Sequence, residues 1–520
     1  MLKRIGDTQV GKLRAIASET VTNGKPMIVK SDGTCAVAGT IAQNVGSGNQ
    51  FHTDRGWEYA SAYDSHNDRV VILYQDNANS RHLTAIVGTV SGNSVSFGTA
   101  VVVKSDEENE YGNIVFDSTN NKIVVIYRDD DTSGSSNTYY GVARVGTVDP
   151  SDNSISFGTE AVFNSGSTNY IASCFDSTNG KVFIMYRNHT GNAMQAIIGT
   201  VSGTNITFGS AATFNSGKNS SSNACVHDPD TNKIILFHGD TTQSNDPLYA
   251  TVATVSGTSL SYGSNQVTVE NGYYPPSSVS AVYDTVNQRV VIAYYLRTAL
   301  YAAALYIKAG TVSGDTTSFG SVTQLTAGTG ISYGNYAGSQ PSITYDPSSG
   351  KILMVFSVQS GSNYSYFNVA TVDPSDNSVT FAVAHGSGNA PFGTALTSGV
   401  TYLAHATGAG NRSCVYDPDN EVIIVPYTDN SDNNYAKVLA FTNSKVNLTS
   451  ENFIGISASG AASGAGAIID SAGSIADNLS GLTAGESYFV QTNGTLGLTA
   501  DSPSVFAGTA VSATKLIVKG

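Results

Sequence analysis

The chain has 520 residues, with 26 Lys and Arg against 40 Asp and Glu, and a formal net charge of −14. Only 13% of its residues are charged, compared with roughly 25% in an average globular protein. This composition excludes a coiled coil and a charge-driven disordered protein, and the acidic balance argues against a nucleic-acid partner, which clustered Lys and Arg would bind.

The N-terminus and the cysteines indicate a protein without membrane segments or disulfides. The first twenty residues contain no apolar run long enough for a signal peptide, and about 18 consecutive apolar residues occur nowhere in the chain. The four cysteines are too sparse for a disulfide framework and are not spaced like a zinc site. We therefore expect buried cysteines, no membrane insertion, no metal site and no cofactor.

Seven segments of the chain repeat one pattern, for example NIVFDSTNNKIVVIYRD, and each has an aspartate at the same place. The spacing of these aspartates, 52 to 71 residues, is typical of propeller blades rather than of helical repeats. They are Asp64, Asp117, Asp176, Asp228, Asp284, Asp346 and Asp417.

Each repeat predicts four strands. The first ends at the aspartate, and the second, such as Val70 to Tyr74, is apolar at every position, as expected for a strand covered on both faces. A third run ends in GTVSG or GTVDPSDN, and a fourth reads SVSFGTAVVV or NITFGSAATF. Four strands joined by Asp, Asn, Gly or Pro turns indicate a β-propeller blade.

The last repeat lacks its fourth strand. The sequence of the missing strand occurs at the other end of the chain, where Cys35 to Gln50 aligns with the fourth strand of other repeats. An N-terminal strand that completes blade seven would leave no open sheet edge. We predict an all-β protein whose residues 35–450 form a seven-bladed β-propeller.

Both ends of the chain outside the repeats share a second pattern. Residues 451–520 are rich in Ala and Gly, and the stretch from Leu482 to Ala500 resembles the stretch from Val21 to Gly39. We predict that residues 1–34 and 451–520 together form a small β-domain into which the propeller is inserted.

The C-terminal text, NFIGISASGAASGAG to AGTAVSATKLIVKG, resembles a module found at the C-terminus of bacteriophage structural proteins, especially of marine and cyanobacterial phages. The propeller repeat is similar to repeats in tail-fibre-like proteins of the same group. The resemblance implies a virion component, assembled in the host cytoplasm without a signal peptide. It implies attachment to other virion proteins through the small β-domain and a homo-oligomer, a trimer by analogy with phage fibres. It carries no catalytic residues across.

The long, variable connections of the repeats are expected at one face of the propeller, which is the expected binding face. Tyr, Trp and Arg contribute most to binding hot spots, and aromatic rings stack on sugars, so these residues are our ligand-binding candidates, although many tyrosines could instead pack between blades. The candidates are Trp57, Tyr59, Tyr111, Arg128, Tyr139, Tyr170, Arg187, Tyr273, Tyr274, Arg297, Tyr333 and Tyr336.

Other chemistry has weaker support in the sequence. The repeated aspartate does not match the S-x-D-x-G-x-T-W pattern of sialidase Asp boxes, and we expect it to cap a tight turn. Segments such as Asp149 to Asn153 lack the spacing of calcium loops, and converging carboxylates for glycoside hydrolysis cannot be recognised. We predict a virion protein, a tail fibre or appendage, whose propeller face binds a host-surface glycan or protein, and which is not an enzyme. The alternatives are a purely architectural capsid-decoration or tail protein and a glycan depolymerase.

Overall fold

The structure, a computed structural model, describes residues 3–4, 11–30, 32–105, 112–131, 138–216, 223–240, 242, 247–264, 266–271, 278–299, 302–325, 341–360, 362–382, 394–395, 413–429 and 435–519. Nearly every element in these residues is a β-strand, apart from one 3₁₀ turn at Asn77–Asn79. The N-terminal strands are β1 (Lys3–Arg4), β2 (Lys12–Ile16), β3 (Pro26–Val29), β4 (Cys35–Val37) and β5 (Thr40–Ile41).

Next in the chain come β6 (Asn44–Val45), β7 (Asn49–His52), β8 (Gly56–Asp64), β9 (Arg69–Asp76), β10 (His82–Ser91), β11 (Ser94–Phe97), β12 (Val101–Lys104), β13 (Asn113–Asp117), β14 (Lys122–Asp131), β15 (Thr138–Asp149), β16 (Ser154–Phe157), β17 (Ala161–Asn164), β18 (Thr168–Asp176), β19 (Lys181–Asn188), β20 (Ala193–Ser202), β21 (Asn205–Phe208), β22 (Ala212–Ser216), β23 (Asn223–Asp228), β24 (Lys233–Gly239), β25 (Leu248–Ser256), β26 (Ser259–Tyr262) and β27 (Val267–Glu270).

The chain continues with β28 (Ser278–Asp284), β29 (Arg289–Ala299), β30 (Ala302–Ser313), β31 (Thr316–Phe319), β32 (Thr323–Leu325), β33 (Ser342–Asp346), β34 (Lys351–Ser360), β35 (Ser362–Asp373), β36 (Ser378–Phe381), β37 (Thr394–Ala395), β38 (Val415–Asp417), β39 (Val422–Asp429) and β40 (Tyr435–Thr442), and ends with β41 (Lys445–Val446), β42 (Phe453–Ser457), β43 (Gly466–Asp470), β44 (Ile475–Ala476), β45 (Ser487–Val490), β46 (Leu496–Gly497), β47 (Val505–Ser512) and β48 (Lys515–Val518).

The strands of residues 45–442 form seven antiparallel sheets, the blades of a β-propeller, so the predicted fold class is confirmed. In blade one the order is β11, β10, β9, β8, and β12 also pairs with β10. The predicted fourth strand is therefore two short strands that continue along the same neighbour. Blade seven consists of β38, β39, β40, β6 and β7, which confirms that an N-terminal strand closes the ring.

The glycine after each outer strand explains the repeated Phe-Gly text. A Cβ on Gly98 would lie 2.2 Å from the carbonyl oxygen of Asn153, in the turn between the third and fourth strands of the next blade. At Gly158 the corresponding distance, to the carbonyl oxygen of Thr204, is 2.0 Å. Blade six has Ala382 at this position, and the blade after it has no such turn, because its third and fourth strands come from opposite ends of the chain.

One buried aromatic side chain per blade, near the end of the second strand, fills the space between blades. All seven are at most 1% exposed, and the loss of so large a buried side chain typically costs about 3–5 kcal/mol. They are Tyr74, Tyr127, Tyr186, Phe237, Tyr294, Phe356 and Tyr427.

The repeated aspartates close the turns between first and second strands. Asp117 Oδ1 accepts hydrogen bonds from the backbone N–H groups of Thr119 (3.0 Å) and Asn120 (2.9 Å), and Oδ2 accepts one from Asn120 Nδ2 (2.9 Å). The other six aspartates make the same three kinds of bond, to Asn, Ser or Thr side chains. They are capping residues, as predicted.

The second unit comprises residues 1–44 and 443–520. Its six-stranded sheet has the order β1, β2, β43, β42, β3, β4, so two C-terminal strands lie between two pairs of N-terminal strands. The C-terminal residues also form a five-stranded sheet. Strand β4 (Cys35–Val37) pairs with β3, which places residues 35–44 in this unit rather than in the predicted propeller range of 35–450.

The two stretches of similar text in this unit form equivalent hairpins. In one, Asp32 Oδ1 accepts hydrogen bonds from the N–H (2.8 Å) and the hydroxyl (2.6 Å) of Thr34. In the other, Asn493 Oδ1 accepts the same bonds from Thr495 at 3.1 and 2.7 Å.

Candidate functional site

The propeller blades have two different ends. The short-turn end carries the seven aspartate turns, and the variable end is the opposite end of the same strands. The first strands surround a cavity of about 460 Å³ near the short-turn end, lined mainly by apolar residues such as Ala62, Val115 and Ala281. Cys174 and Cys414 also line it, and all four cysteines are buried and free, as expected.

Aromatic side chains that precede the turn aspartates connect neighbouring blades around this cavity. The hydroxyl of Tyr63, in blade one, donates to Asp419 Oδ2 of blade seven at 2.6 Å. In blade four the position holds His227, whose Nε2 lies 3.2 Å from Asp176 Oδ1 of blade three, and burial lowers the pKa of this histidine. This set is not among the predicted candidates, although the sequence has Tyr, Phe or His before every turn aspartate: Tyr63, Phe116, Phe175, His227, Tyr283, Tyr345 and Tyr416.

Trp57 lies at the variable end of blade one and is half-buried. Two guanidinium carbons lie near its ring centroid, that of Arg55 at 4.9 Å and that of Arg81 at 5.6 Å. The indole N–H donates to Asn77 Oδ1 at 3.4 Å. The chain's single tryptophan is therefore a support that orients two cationic groups.

Arg128 and Tyr139 form a similar pair at the variable end of blade two. The guanidinium carbon of Arg128 lies 4.5 Å from the ring centroid of Tyr139, and its Nη1 donates to Asn169 Oδ1 of blade three at 3.0 Å. Next to Arg128, Asp129 forms an ion pair with Lys104 at 3.0 Å. The neighbouring carboxylate is thus neutralised by a different cation.

A bulge in the first strand of blade three positions Tyr170. Residues 170 and 171 lie between the paired positions Asn169–Arg187 and Ala172–Met185. Tyr170 has a φ of 52°, in the left-handed region, and its carbonyl accepts a hydrogen bond from Asn223 Nδ2 at 2.6 Å. Its side chain is half-buried.

The structure corrects the prediction for Tyr59. This tyrosine lies in β8 rather than in a loop, and it is 2% exposed because a bulge in β8, equivalent to the one in blade three, directs it into the core. Its hydroxyl hydrogen-bonds to Thr428 Oγ1 at 2.8 Å, and burial raises its pKa. Tyr59 is therefore not accessible to a ligand.

Two of the remaining candidates lie within the described residues, and five do not. Arg187 is half-buried at the variable end of β19. Arg297 lies in β29 (Arg289–Ala299). The others lie outside the described residues: Tyr111, Tyr273, Tyr274, Tyr333 and Tyr336.

The segment from Asp149 to Asn153, compared above with calcium loops, forms a turn. Asp149 Oδ1 accepts hydrogen bonds from the N–H (2.9 Å) and hydroxyl (2.6 Å) of Ser151, which lower its pKa. Within the described residues, no group of three or more His, Cys, Asp or Glu side chains is arranged to hold a metal ion. The same part of the chain contains no helix with the length and hydrophobicity that a membrane span requires.

No protein-family model and no curated protein matches this chain. Among solved structures it is similar to a mutant of NanB sialidase from Streptococcus pneumoniae, with 12% identity over 76% of this chain and 70% of that chain and a TM-score of 0.41. It is similar to the Dos1 propeller, with 10% identity, 76% and 95% coverage and a TM-score of 0.41. It is also similar to a PL25 ulvan lyase, with 11% identity over 76% of this chain and 96% of that chain and a TM-score of 0.47.

These similar structures correct one prediction. We predicted that the protein is not an enzyme, but propeller structures similar to it include a sialidase and an ulvan lyase. The absence of local sequence motifs therefore does not support that prediction. Carboxylates on different blades can converge without any fixed spacing in the sequence. At such low identity the similarity concerns the fold alone.

Proposed function

We propose that this protein is a bacteriophage virion component, a tail fibre or appendage, whose propeller binds a host-surface glycan at the variable end of its blades. The sequence resemblance supports the phage assignment. In this proposal the unit built from both chain ends attaches to other virion proteins.

One observation carries the binding proposal: within the described residues, half-buried aromatic and arginine side chains lie together at the variable ends of blades one to three. They are Trp57, Arg128, Tyr139, Tyr170 and Arg187. Aromatic rings pack against the C–H faces of sugars, and guanidinium groups donate several hydrogen bonds to sugar oxygens.

The short-turn end is less suited to this role because its polar groups already bond to neighbouring blades. Arg69, for example, donates from Nε to Asn153 Oδ1 at 2.6 Å and from Nη2 to the carbonyl of Pro150 at 2.7 Å, both in the next blade. An arginine in this environment acts between blades, whereas Arg128 also presents a cation beside an aromatic ring.

The proposal predicts that Trp57→Ala and Arg128→Ala each weaken binding to host cells and to a glycan array by about tenfold or more. Arg69→Ala is the matched control, since it removes an arginine from the opposite end and should leave binding unchanged. Thermal unfolding of each variant verifies that the fold is retained. Unchanged binding in both variable-end variants contradicts the proposed binding surface.

The virion assignment needs a separate experiment. Antibodies against the chain should label intact particles in electron micrographs, and the protein should co-sediment with them. Labelled particles whose protein binds no host glycan would instead support the purely architectural role. A chain that is absent from purified particles contradicts the virion assignment itself.

A further inference from the structure

One position of the repeat, directly after the buried aromatic residue of each second strand, differs from blade to blade. In most blades its side chain is bonded to a neighbour. Gln75 donates to Glu58 (3.4 Å), Arg128 donates to Asn169 (3.0 Å), His238 Nε2 lies 3.2 Å from Thr251 Oγ1, and Thr428 donates to the carbonyl of Gly56 (3.0 Å).

Arg187, in blade three, is the exception among the described side chains at this position. Its Nε is shielded from solvent and has no hydrogen-bond partner. Its guanidinium forms no hydrogen bond or ion pair with any residue in the part of the chain that the structure describes. A buried donor atom without an acceptor is unfavourable. The side chain is thus suited to an acceptor from outside the protein.

Arg187 belongs to a row of residues that crosses blade three in register. Asn169 pairs with Arg187, Arg187 with Met194, and Met194 with Asn215. Side chains of directly paired residues lie on the same face of a sheet. Asn215 Nδ2 is also buried without a partner, so this row contains two unpaired donors, one charged and one neutral.

The row faces blade four. Met194 of the row belongs to the same buried cluster as Leu236 of blade four, and Phe214, beside Asn215, has its ring centroid 5.1 Å from that of His238 in blade four. His238 is fully buried, and burial lowers its pKa to about 4, so the imidazole is neutral near pH 7. Of Arg187 in blade three and His238 in blade four, the cation is therefore Arg187.

Blade three is locally cationic although the whole chain carries a charge of −14. Residues 177–227 contain no Asp or Glu and include Lys181, Arg187 and Lys218. The carboxylate nearest in sequence, Asp176, caps the turn at the opposite end of the blade. The strands that form the row therefore contribute no negative charge to its variable end.

We propose that Arg187 and Asn215, the two unpaired donors of this row, form a subsite for the carboxylate of an acidic sugar. This deepens the proposed function and rests on it. The guanidinium of Arg187 binds the carboxylate, which its planar set of donors fits. Asn215 donates to a neighbouring sugar oxygen, and the fully buried Met194 between them does not contact the sugar.

The test compares hexagalacturonate with a neutral hexasaccharide and with a sulfated neutral hexasaccharide, by calorimetry on the full chain. The wild-type protein should prefer the uronate by about tenfold or more over the neutral sugar. Arg187→Gln should abolish this preference, and Arg187→Lys should restore only part of it, since an ammonium keeps the charge but not the planar donors.

Lys181→Gln is the matched control, because it removes the same charge from the other end of the same strand. The inference is overturned if Arg187→Gln retains the preference, if both variants lose it equally, or if the sulfated sugar binds as tightly as the uronate. A wild-type protein that binds neutral and acidic sugars equally also overturns it, while leaving the proposed glycan binding intact.

If the wild-type protein binds none of the hexasaccharides, free galacturonate becomes the probe. The measurement is then the unfolding temperature with and without galacturonate. An Arg187-dependent rise in the unfolding temperature would then support the subsite, although the proposed glycan binding had failed. Without such a rise, both are contradicted.

Discussion

The two ends of the propeller blades differ in how closely the seven blades agree. At the short-turn end, the same aspartate closes the same turn in every blade, and an aromatic residue precedes it each time. At the variable end, one position of the second strand is aromatic in every blade, and the position directly after it differs from blade to blade. Tyr127 belongs to a set of seven buried aromatic residues, whereas the position of Arg128 holds six different residue types among the seven blades.

This difference separates residues that maintain the ring of blades from residues that can change without disturbing it. A repeated position has the same neighbours in each blade, so packing determines its residue type. The position after it contacts a different neighbour in each blade and is free to acquire a binding role. The comparison predicts that adjacent residues have very different effects on stability.

The largest effect is expected for Tyr127→Ala. Its ring is fully buried, and its hydroxyl donates to Glu160 Oε2 at 2.6 Å, so the free energy of unfolding should fall by about 3–5 kcal/mol. Arg128→Ala should cost about 1 kcal/mol, since it removes the hydrogen bond to Asn169 and the contact with the ring of Tyr139. Chemical denaturation of both variants measures the contrast, and equal losses contradict it.

A pH-dependent effect is expected at His238, a variable-end residue that is sealed inside the protein. Burial lowers its pKa from the usual value near 6.5 to about 4. Below about pH 6.5 the unfolded chain therefore binds a proton that the folded chain does not bind. The free energy of unfolding should fall by about 3 kcal/mol between pH 7 and pH 4 on account of this residue.

His238→Gln should remove that part of the pH dependence, as measured by denaturation at pH 7 and pH 4. His189→Gln, which removes an exposed histidine of the neighbouring blade, should leave the pH dependence as it is. If His238→Gln and the wild-type protein lose stability in parallel on acidification, His238 does not carry the effect.

The short-turn end of the blades could be predicted from the sequence, because each of its elements occurs seven times in the chain. The aspartate turns, the buried second strands and the N-terminal strand of blade seven follow from aligned text. The boundary near Cys35 could not be predicted in this way. The residues from Cys35 onward resemble an outer strand locally, and only the pairing of β4 with β3 assigns them to the other unit.

The candidate site was less predictable because it depends on residues that do not repeat. Trp57 and Tyr59 are predicted as ligand-binding residues for the same reason, but the bulge that follows Trp57 leaves Trp57 half-buried and buries Tyr59. A bulge has no signature in the residue types of a single blade. The exceptional position of Arg187 likewise becomes visible only when the partners of equivalent residues are compared.

The smallest effect tests why the outer strands end in glycine. Gly158→Ala places a Cβ 2.0 Å from the carbonyl oxygen of Thr204 in the next blade, so blade two must move away at a cost of about 1–3 kcal/mol. Ala382→Gly, at the same position of blade six, should cost at most about 1 kcal/mol, because it only increases the freedom of the unfolded chain. Thermal denaturation compares the two, and a larger loss for Ala382→Gly would show that contact with the next blade does not select this glycine.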